Sequence, residues 1–320
     1  METPITQSKA WQALQNDLNE PNFYNAEKEY VYLAIAKSTP VGKYLYLPYG
    51  PVATTGQGIK HALDSLMVLA KQQNAVFIRI EPQNPNLIEA LKEQGIKLEK
   101  SLDLNPAETW LLDLTGTEDD LKEKLPSRLL RYHKSAEKKG ITIRKSHDPA
   151  DIHFLLDLQK ALAKTKNIST FSEEYLKTEL KQPFATLYLV EYRPPEPPEP
   201  PETPEPLEPP TIIAAGLVFD DDKTRYNLQG AQSDEGRKLH ATGILTIELI
   251  KDAKAQNLQT FDFWGIAPDG APQDHPWQGF TEFKKTFAGS EAKYAGTYDL
   301  ILKPVKYQLY KLLRKFRRMV

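Results

Sequence analysis

The 320-residue chain contains no cysteine, which removes disulfides, thiolate nucleophiles and cysteine metal sites together. It has no apolar run near the ~18 residues that a membrane-crossing helix needs. The opening METPITQSKAWQALQNDLNE lacks the basic start and apolar stretch of a secretory signal, so a cytoplasmic location is expected. Familiar catalytic signatures are missing too: there is no phosphate-cradling glycine loop, no Gly-x-Ser-x-Gly elbow and no His-Glu-x-x-His. His133, His147 and His153 are scattered over expected helix or loop, and no metal site is expected. The formal net charge is −2, so any anionic partner must meet a local patch rather than the whole surface.

What is present is enough apolar residue, 40% of the chain, to fill two cores of ordinary size. YVYLAIAK from Tyr30 and KYLYLPYG from Lys43 are rich in aromatic and β-branched residues and read as paired strands. Ile59, Leu63, Leu66 and Ala70 recur at helical spacing, and AVFIRI is a buried strand ended by Pro82. Another helix carries Leu87, Ile88 and Leu91, and IKLEKSLDL and TWLLDL supply two further strands. The second half repeats this order. A basic helix over 118–139 precedes the strand ITIRK, helices over 151–163 and 172–181, and the strands FATLYLVEY, TIIAAGLVFD and TRYNLQGA. A long helix over 237–256 and the strand LQTFDFWG follow, the strand alternating Phe261 and Phe263 with Asp262 and Trp264. The expected class is α+β, two lobes of mixed sheet flanked by helices, related by duplication.

An insertion at 193–210 lies between two of these strands. In PPEPPEPPETPEPLEPP ten of 17 residues are proline and five are glutamate, a composition that cannot join a sheet ladder and favours an extended, solvated excursion. Two segments are locally basic. Residues 122–145 hold nine Lys or Arg against two acids, and 303–318 hold seven with none, interleaved with Tyr307, Tyr310, Leu312, Leu313 and Phe316. Such a helix suits nucleic-acid phosphates or an anionic membrane face, and a solvated charged face on a docked helix is the plainer reading.

The densest constellation, residues 261–287, joins a strand end to a turn-rich loop and a short helix, the kind of place where α/β sites form. Here YNLQGA (226–231), FDFWGIAP (261–268), HPWQGFTEFKKTF (275–287) and YAGTYD (294–299) resemble, in order and spacing, the C-terminal half of the FemABX peptidoglycan bridge aminoacyltransferases. PYGPV (48–52), RIEP (79–82), TWLLDL and the basic helix ending at Gly140 extend the resemblance over nearly the whole chain.

The resemblance implies two tandem GNAT-like lobes, the first comprising 1–109 plus 295–320 and the second 110–294, facing a cleft and using no cofactor. It implies an aminoacyl-tRNA donor and a peptidoglycan precursor as acceptor (lipid II or UDP-MurNAc-pentapeptide); the composition of the basic C-terminal helix adds peripheral contact with the inner membrane face as a further expectation. It implies that Lys284, preceded by Phe283, steadies the charge developing on the ester, and that Glu81 lies near the incoming amine. Tyr175 matches a substrate-contacting tyrosine. Gln229, Asp262, Trp264, Gly265, His275 and Trp277 complete the expected substrate-binding set. Each has a blander reading: Lys284 as a solvated helix charge like Lys285, Glu81 as a strand-end carboxylate, Tyr175 as core, and Asp262 and Trp264 as loop support. Departures also stand out, because positions where some relatives grip the precursor diphosphate with basic residues fall at Gln15 and Phe171, and a site tyrosine falls at Gln229. The long helical arm of some members is missing, as in compact members. Two other functions remain open, an acyl-CoA-dependent GNAT N-acyltransferase and a non-catalytic tRNA or envelope scaffold; SDEGRKLHATG is a poor substitute for the glycine loop that coenzyme A needs.

Overall fold

A computed structural model describes residues 3–166, 171–195 and 209–319, leaving aside the side chains of 164–166 and 316–319. Most of the Pro/Glu-rich insertion therefore lies outside the described residues.

In chain order the elements are α1 (Lys9–Asp17), β1 (Asn22–Ala26), β2 (Tyr30–Thr39), β3 (Gly42–Leu47), β4 (Val52–Ala53), α2 (Gly56–Gln72), β5 (Phe77–Ile80), α3 (Asn86–Glu93) and β6 (Leu98–Lys100). Next come β7 (Glu108–Asp113), α4 (Glu118–Lys124), α5 (Ser127–Lys134), β8 (Ile141–Ser146), α6 (Ile152–Lys166), α7 (Glu173–Leu180), β9 (Ala185–Tyr192), β10 (Thr211–Asp220) and β11 (Thr224–Gln232). The chain closes with α8 (Asp234–Lys238), α9 (Ala241–Ala255), β12 (Thr260–Gly265), α10 (Gln278–Lys285), β13 (Ser290–Lys293), β14 (Tyr298–Ile301) and α11 (Pro304–Met319).

These build two compact units, Met1–Thr109 with Pro268–Gly270 and Ala292–Val320, and Trp110–Ala267 with Ala271–Glu291. Compared with the expected division, Pro268–Gly270 and residues 292–294 fall with the first unit. The first sheet has the order β1-β2-β3-β5-β14-β6, with β4 beside β2, and the second β13-β7-β12-β11-β10-β9-β8. In each, three successive antiparallel strands lead through a long helix to a parallel neighbour: β3 beside β5 after α2, and β11 beside β12 after α9. A parallel pairing needs such a crossover, which the alternation of periods in the sequence supplies. β7 follows β6 in sequence but pairs in the second sheet, and β14 follows β13 but pairs in the first.

In the first unit α2 and α3 bury Ile59, Leu63, Leu66, Leu87 and Leu91 against Leu45, Leu47, Ile78, Ile80 and Leu300. The other face of that sheet carries Phe77 and Val76 against Tyr307 of α11. In the second unit Phe261 and Phe263 join Ile244, Ile247 and Ile250 of α9 and Leu129 of α5 in one core. Gly243 lets those helices close up, since a Cβ there would sit 2.6 Å from Leu129 Cδ2.

Two expected helices are divided. The one over 118–139 breaks at Leu125, which is extended (φ −96°, ψ 140°) ahead of Pro126, because proline disfavours helix in the residue before it and donates no hydrogen bond. It ends through a 3-10 turn, Glu137–Lys139, at Gly140 with φ 75°. The helix over 237–256 becomes α8, capped by Ser233, and α9, separated by a left-handed His240 with φ 59°.

Candidate functional site

The site is built at the C-terminal end of β12. There the pairing between β11 and β12 runs from Thr224↔Thr260 to Tyr226↔Asp262, and both strands continue past it. Phe261 and Phe263 point into the α9 core, so period 2 turns Asp262 to the opposite face, where it is 3% exposed. Its Oδ1 accepts the Trp264 N–H at 2.7 Å. Trp264 has φ 65°, a left-handed conformation that a bulky residue adopts only when its surroundings hold it there. The turn ends the strand, and the carbonyls of Trp264 and Gly265 accept hydrogen bonds from Lys284 Nζ at 3.3 and 2.6 Å.

Helix α10 brings that ammonium into place. Phe283 packs 5.5 Å, centroid to centroid, from Phe287, which lies 4.9 Å from Phe263, so the helix is pinned to the strand by aromatic contact. Thr281 fastens the intervening loop, its Oγ1 accepting the Ala267 N–H at 2.7 Å and donating to Trp277 O at 2.9 Å. Half-buried Lys284 pays a desolvation cost, and burial pushes its pKa down to about 8 against the opposing pull of Asp262. An ammonium has three donors, and two carbonyls use two of them. Lys285 is exposed, with its Nζ 3.6 Å from Glu291 Oε2. His275 and Trp277 sit on the loop entering α10, their rings 5.8 Å apart, with the Trp277 N–H donating to His275 Nδ1 at 3.1 Å. Trp277 is 39% exposed.

A second polar cluster lies on the α6–α7 side of the same sheet. Gln229 is the cross-strand partner of Leu217, and its Nε2 donates to Glu179 Oε2 at 3.4 Å. Its Oε1 accepts from Gln159 Nε2 at 3.0 Å, leaving the buried Gln159 Oε1 without a hydrogen-bond partner. Glu179 also hydrogen-bonds Tyr175, one helical turn earlier on α7. Glu81 belongs to the first unit and is 3% exposed. Its Oε1 accepts from Leu104 N, Asn105 N and Thr297 Oγ1 at 3.0, 3.3 and 2.6 Å, and its Oε2 from Tyr46 Oη and Asn105 Nδ2 at 2.6 and 2.8 Å. Five donors on two oxygens join the end of β5 to the segments around 105 and 297.

The FemAB family model matches residues 203–315, a span that includes β11, β12, α10 and the Phe283–Lys284 pair. Over that span the chain is similar to the FemAB family. The fold agrees: the crystal structure of FemX superposes with a TM-score of 0.79 at 18% identity, covering 95% of this chain and 94% of that one. Two units, each a mixed sheet with helices packed on it, are its architecture. The C-terminal domain of a putative lysylphosphatidylglycerol synthetase from Agrobacterium fabrum gives a TM-score of 0.59 at 14% identity, covering 94% and 90% of the two chains. L-PGS from Bacillus licheniformis gives 0.56 at 13%, covering 99% of each. No curated protein matches the sequence.

The departing positions have definite surroundings. Gln15 is buried in α1, 5% exposed. Phe171 is 54% exposed and stacks on Tyr175 with centroids 5.1 Å apart. The sequence reading missed Thr281, Gln159 and Glu179. The signal for Glu179 was its place four residues after Tyr175 and between Leu176 and Leu180, which puts it on the inward face of α7.

Glu179 yields a pH prediction. It is 2% exposed, and burial pushes its carboxyl up to about 8. The unfolded carboxyl titrates near ~4.3, so between that pH and about 8 the native state holds a proton that the unfolded chain has released. Stability must therefore fall as pH rises through this window. Glu179→Gln removes the dependence. It is expected to raise the urea midpoint at pH 8 but not at pH 4, with an upper bound of roughly 3–5 kcal/mol at ~1.4 kcal/mol per pH unit. An equal effect at both values would contradict the assignment.

Proposed function

We propose that this protein is an aminoacyl-tRNA-dependent N-acyltransferase that passes an amino acid to the stem peptide of a peptidoglycan precursor, lipid II or UDP-MurNAc-pentapeptide, in the bacterial cytoplasm. FemAB family members are aminoacyltransferases. The observation that carries the reading is Lys284, a half-buried ammonium held by two strand-end carbonyls at the point where β11 and β12 stop pairing. An aminoacyl ester is already activated, so catalysis needs positioning and stabilisation of the oxyanion more than a strong base.

The step balances simply. The acceptor amine attacks the ester carbonyl, the carbon–ribose oxygen bond breaks, an amide forms, and the proton lost by the amine ends on the departing ribose oxygen. Lys284 donates its remaining N–H to the carbonyl oxygen as negative charge develops there. Phe283 holds α10 so that this donor does not move. Tyr175, Gln229, Trp264, Gly265, His275 and Trp277 are assigned to substrate contact, and Asp262 to holding the Trp264 turn. Glu81, with both oxygens occupied, is assigned a positioning part.

The test is transfer of radiolabelled amino acids from a charged tRNA pool to purified precursors. Ribonuclease pretreatment of the pool is expected to abolish transfer, and free amino acid with ATP is expected not to restore it. Labelled acetyl-CoA in the same assay is the control; acylation that survives ribonuclease and runs on acetyl-CoA would replace this reading with an acyl-CoA-dependent one.

A further inference from the structure

Helix α11 has two unlike faces. One is docked: Tyr307 is 2% exposed, its ring 5.2 Å from that of Phe77, and Tyr310 lies 4.9 Å from the same ring. The other is apolar and bare. Val305, Leu309, Leu312 and Leu313 are 85%, 48%, 51% and 36% exposed, and the spacing i, i+4, i+7, i+8 lines them along one stripe of the helix. Exposed Lys306 and Lys315 flank it, and residues 303–318 contain no acid. Lys311 and Arg314 are oriented from the docked side, Lys311 pairing with Glu99 and Arg314 donating to Ser101 Oγ at 3.3 Å. No helix among the described residues is long and apolar enough to cross a membrane.

We propose that this outer face of α11 docks on an anionic phospholipid surface, the helix lying in the interface plane with its aliphatic stripe among the acyl chains and its lysines among the headgroups. A basic rim around an aliphatic stripe is the pattern such helices share. Nucleic-acid phosphates would recruit the cations but give nothing to four bare aliphatic side chains. A second copy of the chain could cover the stripe only by bringing two acid-free cationic rims together, which like-charge repulsion opposes. The proposal stands apart from the transfer chemistry, which is read by a different assay.

The experiment is co-sedimentation of the full chain with phosphatidylcholine vesicles with and without phosphatidylglycerol. Binding is expected to the anionic vesicles only. Lys306→Gln with Lys315→Gln is expected to weaken it about five-fold per cation removed, the equivalent of ~1 kcal/mol each near a charged surface. Leu309→Gln with Leu312→Gln is expected to weaken it at least ~10-fold through lost apolar burial. Circular dichroism checks the fold, and Val305→Asn, at the most exposed position, reads the same stripe with almost no packing at stake. Absence of binding to anionic vesicles, or binding that survives the leucine pair and Val305→Asn, would overturn the proposal. So would variants that lower tRNA retention or self-association while leaving vesicle binding intact.

Discussion

Lys284→Met is expected to lower turnover by roughly 10²–10³, the usual loss when one oxyanion donor is removed, while leaving the fold intact. The reason lies in what the ammonium does in each state. In the resting protein it is desolvated enough to lower its pKa to about 8, so its charge costs stability rather than supplying it. Below that pH the native state must hold a charge that burial disfavours, and methionine, similar in length and neutral, removes the cost. The urea midpoint of the variant should therefore be unchanged or raised, a result that a structural lysine would not give. Lys285→Met, one residue away and exposed, is the control and should leave turnover nearly unaltered. The pH profile adds a second readout: the protonated form is the donor, so turnover should fall as pH rises through about 8, and Lys284→Arg should move that limb upward in whatever activity remains. Near-normal turnover in a folded Lys284→Met protein would remove Lys284 from the chemistry.

Asp299→Ala is expected to cost about 3–5 kcal/mol, the range for breaking a buried ion pair by deleting one partner. That is a large share of the ~5–15 kcal/mol that holds a typical domain together. Asp299 is 0% exposed, and its oxygens accept from Arg79 Nε and an Arg79 terminal nitrogen, both at 2.8 Å, and from Tyr307 Oη at 2.9 Å. Arg79, 2% exposed, lies among the rings of Tyr44, Phe77 and Tyr310 at 5.4, 5.3 and 5.9 Å. Its pKa is raised above the ordinary arginine value by the Asp299 hydrogen bonds and charge, which outweigh desolvation. Without Asp299 the guanidinium stays charged, because arginine cannot give up its proton in a protein, and its burial is left uncompensated. Since Asp299 on β14 faces Arg79 on β5 directly, the pair anchors the C-terminal segment in the first sheet. Replacing both partners, Arg79→Met with Asp299→Leu, should recover much of the loss. A single-variant loss below about 1 kcal/mol in urea unfolding would contradict this account.

Much of the architecture was legible in the chain itself because its signals are short-range. Period-2 alternation placed Phe261 and Phe263 opposite Asp262, helical spacing placed α2 and α7, and the repeated order of elements announced two units. Pro126 carried the break between α4 and α5 in plain view, since a proline forbids helix at the preceding residue, yet the basic run around it read as one helix. The Phe283–Lys284 pair was readable only through resemblance, because a lysine beside another lysine on an amphipathic helix has nothing local to distinguish it. What tertiary structure decided is where those side chains find partners. The left-handed Trp264 that turns two carbonyls onto Lys284, the five donors that occupy Glu81, and the absence of any cation beside Glu179 among its described partners each depend on residues far away in sequence. So does the fate of α11: the sequence made it basic and amphipathic, but only the docking of Tyr307 and Tyr310 on Phe77 fixed which face is buried and left the Val305–Leu309–Leu312 stripe to solvent. Propensity and pattern act over a few residues, whereas desolvation and hydrogen-bond partnership are set by whatever the folded chain brings within a few ångströms.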